Sequence, residues 1–170
     1  MKINLNADLG ESFGAWTMGE DEALLGVVGA ANIACGFHAG DPLVMRRTVR
    51  TALDAGVGLG AHPAYPDLQG FGRRRMHMAP AELEAVVIYQ VGALAGMARA
   101  EGGRLTHVKP HGALNNQACE DAALADTVAR AVKAIDRELI LLAPARSELQ
   151  AAGERAGLQV LRSIEFGDSY

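Results

Sequence analysis

Short apolar runs alternate along the chain with longer segments in which apolar residues recur about every three to four positions. The short runs predict six β-strands, at 2–6, 31–35, 57–61, 105–108, 139–143 and 158–164. The longer segments predict helices at 20–28, 41–55, 80–100, 121–136 and 146–156. Strict alternation of strands and helices is typical of a parallel sheet with helical crossovers. The strands are apolar enough to be buried on both faces, so the sequence predicts an α/β fold.

Local signals support two of these helices. Asp41 followed by Pro42 is the pattern of an N-cap and a first helical residue, and Gly56 predicts the end of that helix. A polar loop at 64–77, rich in Gly, Pro and Arg, precedes the longest helix. That helix carries an apolar stripe at helical spacing, formed by Leu83, Val87, Val91, Leu94 and Ala98.

The composition is that of an ordinary globular domain. The 170 residues are 49% apolar and 21% charged, which argues against disorder and suits a single domain. The net charge of −4 argues against nucleic acid or an anionic membrane as a partner. The first residues lack the apolar segment of a signal peptide, and the apolar stretch 85–98 is shorter than the roughly 20 residues that span a bilayer. A cytoplasmic location is therefore expected.

Polar side chains cluster where the predicted strands end. Asp8 follows the first strand, His38 the second and His62 the third, while Lys109 and His111 follow the fourth. The carboxyl ends of parallel strands share one edge, which is where α/β folds bind ligands. A single histidine there is usually a hydrogen-bonded structural residue, but several on one rim favour a functional site.

Other charged residues near these strand ends allow more than one interpretation. Glu11 is either a first-turn charge or an acid of the site, and Asp41 is expected to act as a helix cap. His107 is expected to point into the barrel wall, and His77 lies at the approach to a helix, so both are left out of the site.

Two further features suggest ligands. Asp8, His38 and His62 form a possible ligand set for a divalent metal, although their spacing does not decide the matter. Arg73 and Arg74, in a Gly-rich part of the polar loop, are either an anion clamp or a solvated basic turn.

Four motifs identify a resemblance to a known family. They are NLNADLGESFG at 4–14, NIACGFHAGD at 32–41, GAHPAYPD at 60–67 with GFGRR at 70–74, and HVKPHGAL at 107–114. In this order they resemble the LamB/YcsF family, and the resemblance extends to about residue 161. It implies a (β/α) barrel of the glycoside hydrolase/deacetylase type with about seven strands. It also implies the A component of an ATP-dependent 5-oxoprolinase, which cleaves 5-oxoproline to L-glutamate with ATP and Mg²⁺ and acts with partner subunits B and C.

On this resemblance, Asp8 and one histidine position or deprotonate a water molecule. Lys109 and the arginine loop hold carboxylate or phosphate oxygens. The residues expected to be catalytic are Asp8, His38, His62, Lys109 and His111, and those expected to bind substrate or an anion are Asn6, Glu11, Arg73 and Arg74. Two alternatives stay open: a stand-alone metal-dependent hydrolase or deacetylase acting on a C–N bond, and a non-catalytic assembly subunit.

The sequence departs from the family pattern in two places. Asn115 stands where the family usually has a tyrosine, and motifs that usually follow near the end are absent. Because about 250 residues are typical of a closed barrel, residues 1–170 are expected to be a single barrel domain that lacks its last strand or strands. More chain, or another chain, is expected to cover the gap.

Overall fold

A computed structural model of the chain describes residues 4–163. Six strands form one sheet: β1 Asn6–Leu9, β2 Ala30–Ala34, β3 Gly58–His62, β4 Leu105–Val108, β5 Ile140–Pro144 and β6 Val160–Ser163. Six helices lie between them: α1 Asp21–Leu25, α2 Pro42–Asp54, α3 Pro80–Ala100, α4 Gly112–Glu120, α5 Ala122–Ile135 and α6 Glu148–Ala156. The predicted α/β alternation is confirmed.

The sheet is a curled half-barrel in which strand order follows chain order. Every neighbouring pair is parallel, from β1 with β2 to β5 with β6. All the carboxyl ends of the strands therefore lie along one edge, as the sequence predicts. Within residues 4–163, β1 and β6 are the two outer strands of the sheet.

The first strand lies further along the chain than predicted. The predicted strand at 2–6 begins in residues outside those described, whereas β1 starts at Asn6. Asp8 therefore lies within β1 and does not follow it, which corrects the prediction. The sequence pattern did not show that β1 extends to Leu9, because β1 mixes polar residues with the fully buried Leu9.

One helix is missing from the sequence prediction. α4 begins directly after His111, and its Ala113, Leu114 and Ala118 are buried. It also contains Asn115 and Asn116, and asparagine is a poor helix former. Packing against α5 and α6 stabilises this short helix, and that packing leaves no clear periodic signal in nine residues.

The predicted helix caps are confirmed where the signals were strongest. The Asp41 carboxylate accepts hydrogen bonds from the main-chain N–H groups of Leu43 at 2.8 Å and Val44 at 3.1 Å, with Pro42 as the first helical residue. α2 ends at Asp54, close to the predicted stop at Gly56.

α3 covers the middle of the sheet. Its predicted apolar stripe is buried and packs against β3, β4, α2 and α5. At 21 residues, the helix is long and apolar enough to cross a membrane by length and composition. About 33% of its most apolar 18-residue window is buried inside the structure, and one such helix is weak evidence for a membrane span. Gln90 is fully buried within this stripe.

Candidate active site

A cavity of about 530 Å³ lies at the carboxyl edge of the sheet. Six of the residues predicted from the sequence line it: Asp8, Glu11, His62, Arg73, Lys109 and His111. The structure thus brings together side chains from β1, β3, the loop before α3 and the segment after β4. His38 is buried directly behind these residues, stacked on His111.

Asp8 and Lys109 form an ion pair at the cavity. Lys109 Nζ lies 3.0 Å from Asp8 Oδ1 and 3.2 Å from Oδ2, and His62 Nε2 lies 3.3 Å from Asp8 Oδ2. Burial raises the pKa of Asp8, but His62, Lys109 and the hydrogen bond from Asn32 together hold that pKa well below its ordinary value. Asp8 is therefore an anion that can accept a hydrogen bond or a proton.

Asn32, on β2, supports Asp8 from behind. Its amide Nδ2 donates to Asp8 Oδ1 at 2.8 Å and to Asn6 Oδ1 at 2.7 Å. Asn6 was predicted to bind substrate. The structure places it against Asn32, outside the residues that line the cavity. Asn32 is fully buried, so its orientation is set by its partners.

His107 sets the orientation of Asn32. Because a carbonyl oxygen only accepts, the contact of 2.9 Å to Asn32 Oδ1 assigns a proton to His107 Nε2. Burial, together with the charges at His62 and Lys109, lowers the pKa of His107 to about 4, so the ring is neutral at pH 7. His107 was left out of the site on sequence grounds. The structure instead connects it to Asp8 through Asn32.

His62 and His111 are fixed by main-chain carbonyls. His62 Nδ1 lies 2.6 Å from the carbonyl oxygen of Lys109, and His111 Nε2 lies 2.8 Å from that of Phe71. Their remaining ring nitrogens, His62 Nε2 and His111 Nδ1, are 3.0 Å apart. Burial and the neighbouring histidines lower the pKa of His111 to about 3. Its ring is therefore neutral at pH 7.

His38 connects this pair to Glu11. The rings of His38 and His111 stack with centroids 3.8 Å apart, and His38 Nε2 lies 2.9 Å from Glu11 Oε1. Burial holds the pKa of His38 well below its ordinary value and raises the pKa of Glu11. Glu11 therefore takes up a proton more readily than an exposed glutamate.

Arg73 and Arg74 were predicted to bind an anion together, but the structure gives them different partners. Arg73 lines the cavity, and its guanidinium carbon lies 5.3 Å from the centroid of the Phe71 ring. Arg74 instead forms an ion pair with buried Asp67, whose carboxylate also accepts from Gly70 N at 3.0 Å. The anion-clamp prediction thus places Arg73 at the cavity, whereas Arg74 holds the loop together. The same loop supplies the carbonyl of Phe71 that orients His111.

Four of these side chains could hold a metal ion. One ligand atom from each of Glu11, His38, His62 and His111 lies within 4.8 Å of the others. His38 and His62 belong to the metal set predicted from the sequence. The third member, Asp8, does not belong to this cluster; its carboxylate contacts Lys109, Asn32 and His62 Nε2.

The sequence profile of the LamB/YcsF family matches residues 3–169. The chain belongs to the LamB/YcsF family. Among curated LamB/YcsF relatives, the A subunit of 5-oxoprolinase from Azoarcus sp. (strain BH72) is 82% identical over 168 residues, which are 99% of this chain and 65% of that protein. The A subunit of 5-oxoprolinase from Methylococcus capsulatus (strain Bath) is 64% identical over 94% of this chain and 62% of its own length.

A solved structure agrees with this family assignment. The lactam utilization protein from Thermus thermophilus superposes with a TM-score of 0.93 and 48% sequence identity, covering 95% of this chain and 66% of that one. The chain thus spans about two thirds of the length of the family members it matches. The half-barrel fold is shared with this structure.

Proposed function

We propose that the chain acts as the A subunit of an ATP-dependent 5-oxoprolinase, which opens 5-oxoproline to L-glutamate together with subunits B and C in the cytoplasm. The observation that carries the proposal is the Asp8–Lys109 ion pair facing an open cavity, in a chain 82% identical to a protein named as the A subunit of 5-oxoprolinase. The name of the Thermus thermophilus relative, a lactam utilization protein, supports a lactam as substrate.

The chemistry explains why ATP is needed. A lactam carbonyl is a poor electrophile, because the ring nitrogen donates electron density into it. Transfer of the terminal phosphoryl group of ATP, as its Mg²⁺ complex, to the lactam oxygen converts that oxygen into a leaving group. ADP leaves in this transfer. One water then adds to the carbon and the ring C–N bond breaks, with the nitrogen taking up a proton, which leaves an acyl phosphate of glutamate. A second water hydrolyses the acyl phosphate to glutamate and phosphate. The main task of the site is to place water and to stabilise negative charge.

Asp8 and His62 suit the first task. The ionised Asp8 carboxylate accepts a hydrogen bond from water, and His62 Nε2 beside it can take part in moving the proton. Positioned acid–base groups of this kind typically contribute about 10²–10⁴-fold in rate. Asn32 and His107 are positioning residues, since they fix the Asp8 carboxylate without facing the cavity.

Lys109 and Arg73 suit the second task. Both line the cavity, and both are cations that can hold the carboxylate of 5-oxoproline or a phosphoryl oxygen. Glu11 also lines the cavity, and its pKa is raised by burial, so it can exchange a proton there. At pH 7 the rings of His38 and His111 are neutral, so neither residue acts as a cationic proton donor.

The experiment is to co-purify the full chain with the proteins encoded beside it and to measure glutamate release from 5-oxoproline. The proposal predicts release that requires ATP, Mg²⁺ and all three subunits. Glutamate release by the chain alone without ATP would favour a stand-alone hydrolase instead. A complex that assembles but releases no glutamate would favour a non-catalytic assembly role.

A further inference from the structure

The geometry points to a divalent metal site on the lining of the cavity, in which Glu11, His62 and His111 are the ligands and His38 positions Glu11. This site lies in the same cavity to which the proposed function is assigned. Its test, however, measures metal binding and does not depend on turnover. The two proposals can therefore fail separately.

The orientation of His62 and His111 is the first argument. Each ring directs one nitrogen at a main-chain carbonyl, which assigns a proton to His62 Nδ1 and to His111 Nε2. This is how metal-binding histidines are usually held, because the carbonyl fixes both the tautomer and the plane of the ring. The nitrogens left over, His62 Nε2 and His111 Nδ1, are the positions at which a proton or a metal ion can bind.

Those two nitrogens face each other. His62 Nε2 and His111 Nδ1 are 3.0 Å apart, in rings inclined at 83°. A separation of 3.0 Å is that of two nitrogens that share a proton, and a metal ion can take the place of that proton. Nitrogens bound to one zinc ion at about 2.0–2.1 Å are roughly 3–3.5 Å apart, so a small outward movement admits the ion.

Glu11 completes the set. Its Oε1 lies 3.7 Å from His111 Nδ1 and 2.9 Å from His38 Nε2. Within the described part of the chain, His38 Nδ1 is buried and has no hydrogen-bond partner. This fits a neutral ring that carries its proton on Nε2 and donates it to Glu11. His38 then acts as a positioning residue for the carboxylate.

The ligand types indicate the class of ion. Two histidines and one carboxylate are a donor set for zinc and similar borderline cations, whereas magnesium prefers oxygen ligands alone. Three protein ligands beside an open cavity of about 530 Å³ leave a position for water or substrate, as in catalytic zinc sites. Such an ion can polarise a carbonyl or acidify a bound water.

The test uses the full chain and Zn²⁺ as the probe, in equilibrium dialysis with metal analysis. The wild type is expected to bind one Zn²⁺ per chain, with an affinity at least about tenfold weaker in both Glu11→Gln and His111→Asn. His77→Asn, at an exposed histidine of the loop before α3, is the matched control and is expected to bind as the wild type does.

Glu11→Gln keeps the shape of the side chain, so it decides the question if His111→Asn does not fold. Stoichiometric binding that weakens in the folded site variants and not in His77→Asn supports the site. No Zn²⁺ binding by the wild type, or unchanged affinity in either folded site variant, would overturn the assignment.

Discussion

Gln90 provides a test of how the site is attached to the helical layer. It lies in the buried stripe of α3, where its amide bonds twice to the main chain of Ala64: Oε1 accepts from Ala64 N at 2.9 Å, and Nε2 donates to Ala64 O at 2.8 Å. Ala64 follows His62 by two residues and begins the loop that carries Arg73. Gln90→Leu keeps the helix and the approximate volume but removes both bonds.

The expected loss follows from the two groups left behind. Ala64 is fully buried, so both of its main-chain groups lose their partner without access to water. Each orphaned group costs about 1–3 kcal/mol, and the added apolar surface of leucine returns about 1 kcal/mol. We expect a net loss of about 3 kcal/mol in the free energy of unfolding. For a chain of this size, that lowers Tm by about 6–12 °C.

Urea unfolding followed by circular dichroism measures this difference, with Gln159→Leu as the matched control. Gln159 is exposed, so the same substitution there is expected to change stability by no more than about 0.5 kcal/mol. Equal stability of Gln90→Leu and Gln159→Leu would refute the claim that the amide anchors the loop.

Three other substitutions are expected to lower stability, to raise stability and to shift a pH profile. A Cβ on Gly60 would lie 2.0 Å from His107 Nε2, so Gly60→Ala should lose about 1–3 kcal/mol in thermal unfolding. A Cβ on Gly92 in α3 would meet no atom within 4 Å, so Gly92→Ala should gain about 0.5–1 kcal/mol; a loss there would contradict the helix packing. Lys109→Met removes a cation that lowers the pKa of Asp8, so Asp8 should take up its proton at higher pH. The acid limb of the pH–activity profile of the assembled enzyme then moves to higher pH, and an unmoved limb would show that Asp8 does not control it.

Much of the fold was predictable because its signals are local. The strand–helix alternation and the Asp41–Pro42 cap depend on neighbouring residues, and the structure confirms both. The convergence of the strand ends followed from parallel topology alone. α4 was missed because tertiary packing stabilises a segment with two asparagines and only nine residues.

The side chains that the site residues contact were harder to predict from the sequence. Arg73 and Arg74 are adjacent and chemically identical, and only the fold shows that Arg74 pairs with Asp67 while Arg73 lines the cavity. The role of His107 depends on Gly60, because the missing Cβ leaves space for the ring beside Asn32. One signal was present: a glycine in a buried strand often marks a close approach of another group.

The most direct test of the proposed mechanism is ATP-dependent glutamate release by the reconstituted three-subunit enzyme carrying Asp8→Asn. Asparagine keeps the shape of the side chain but cannot accept the proton from water. The mechanism predicts a fall in turnover of about 100-fold or more, with subunit assembly intact and with His77→Asn unaffected. Turnover by Asp8→Asn at the wild-type rate would contradict it.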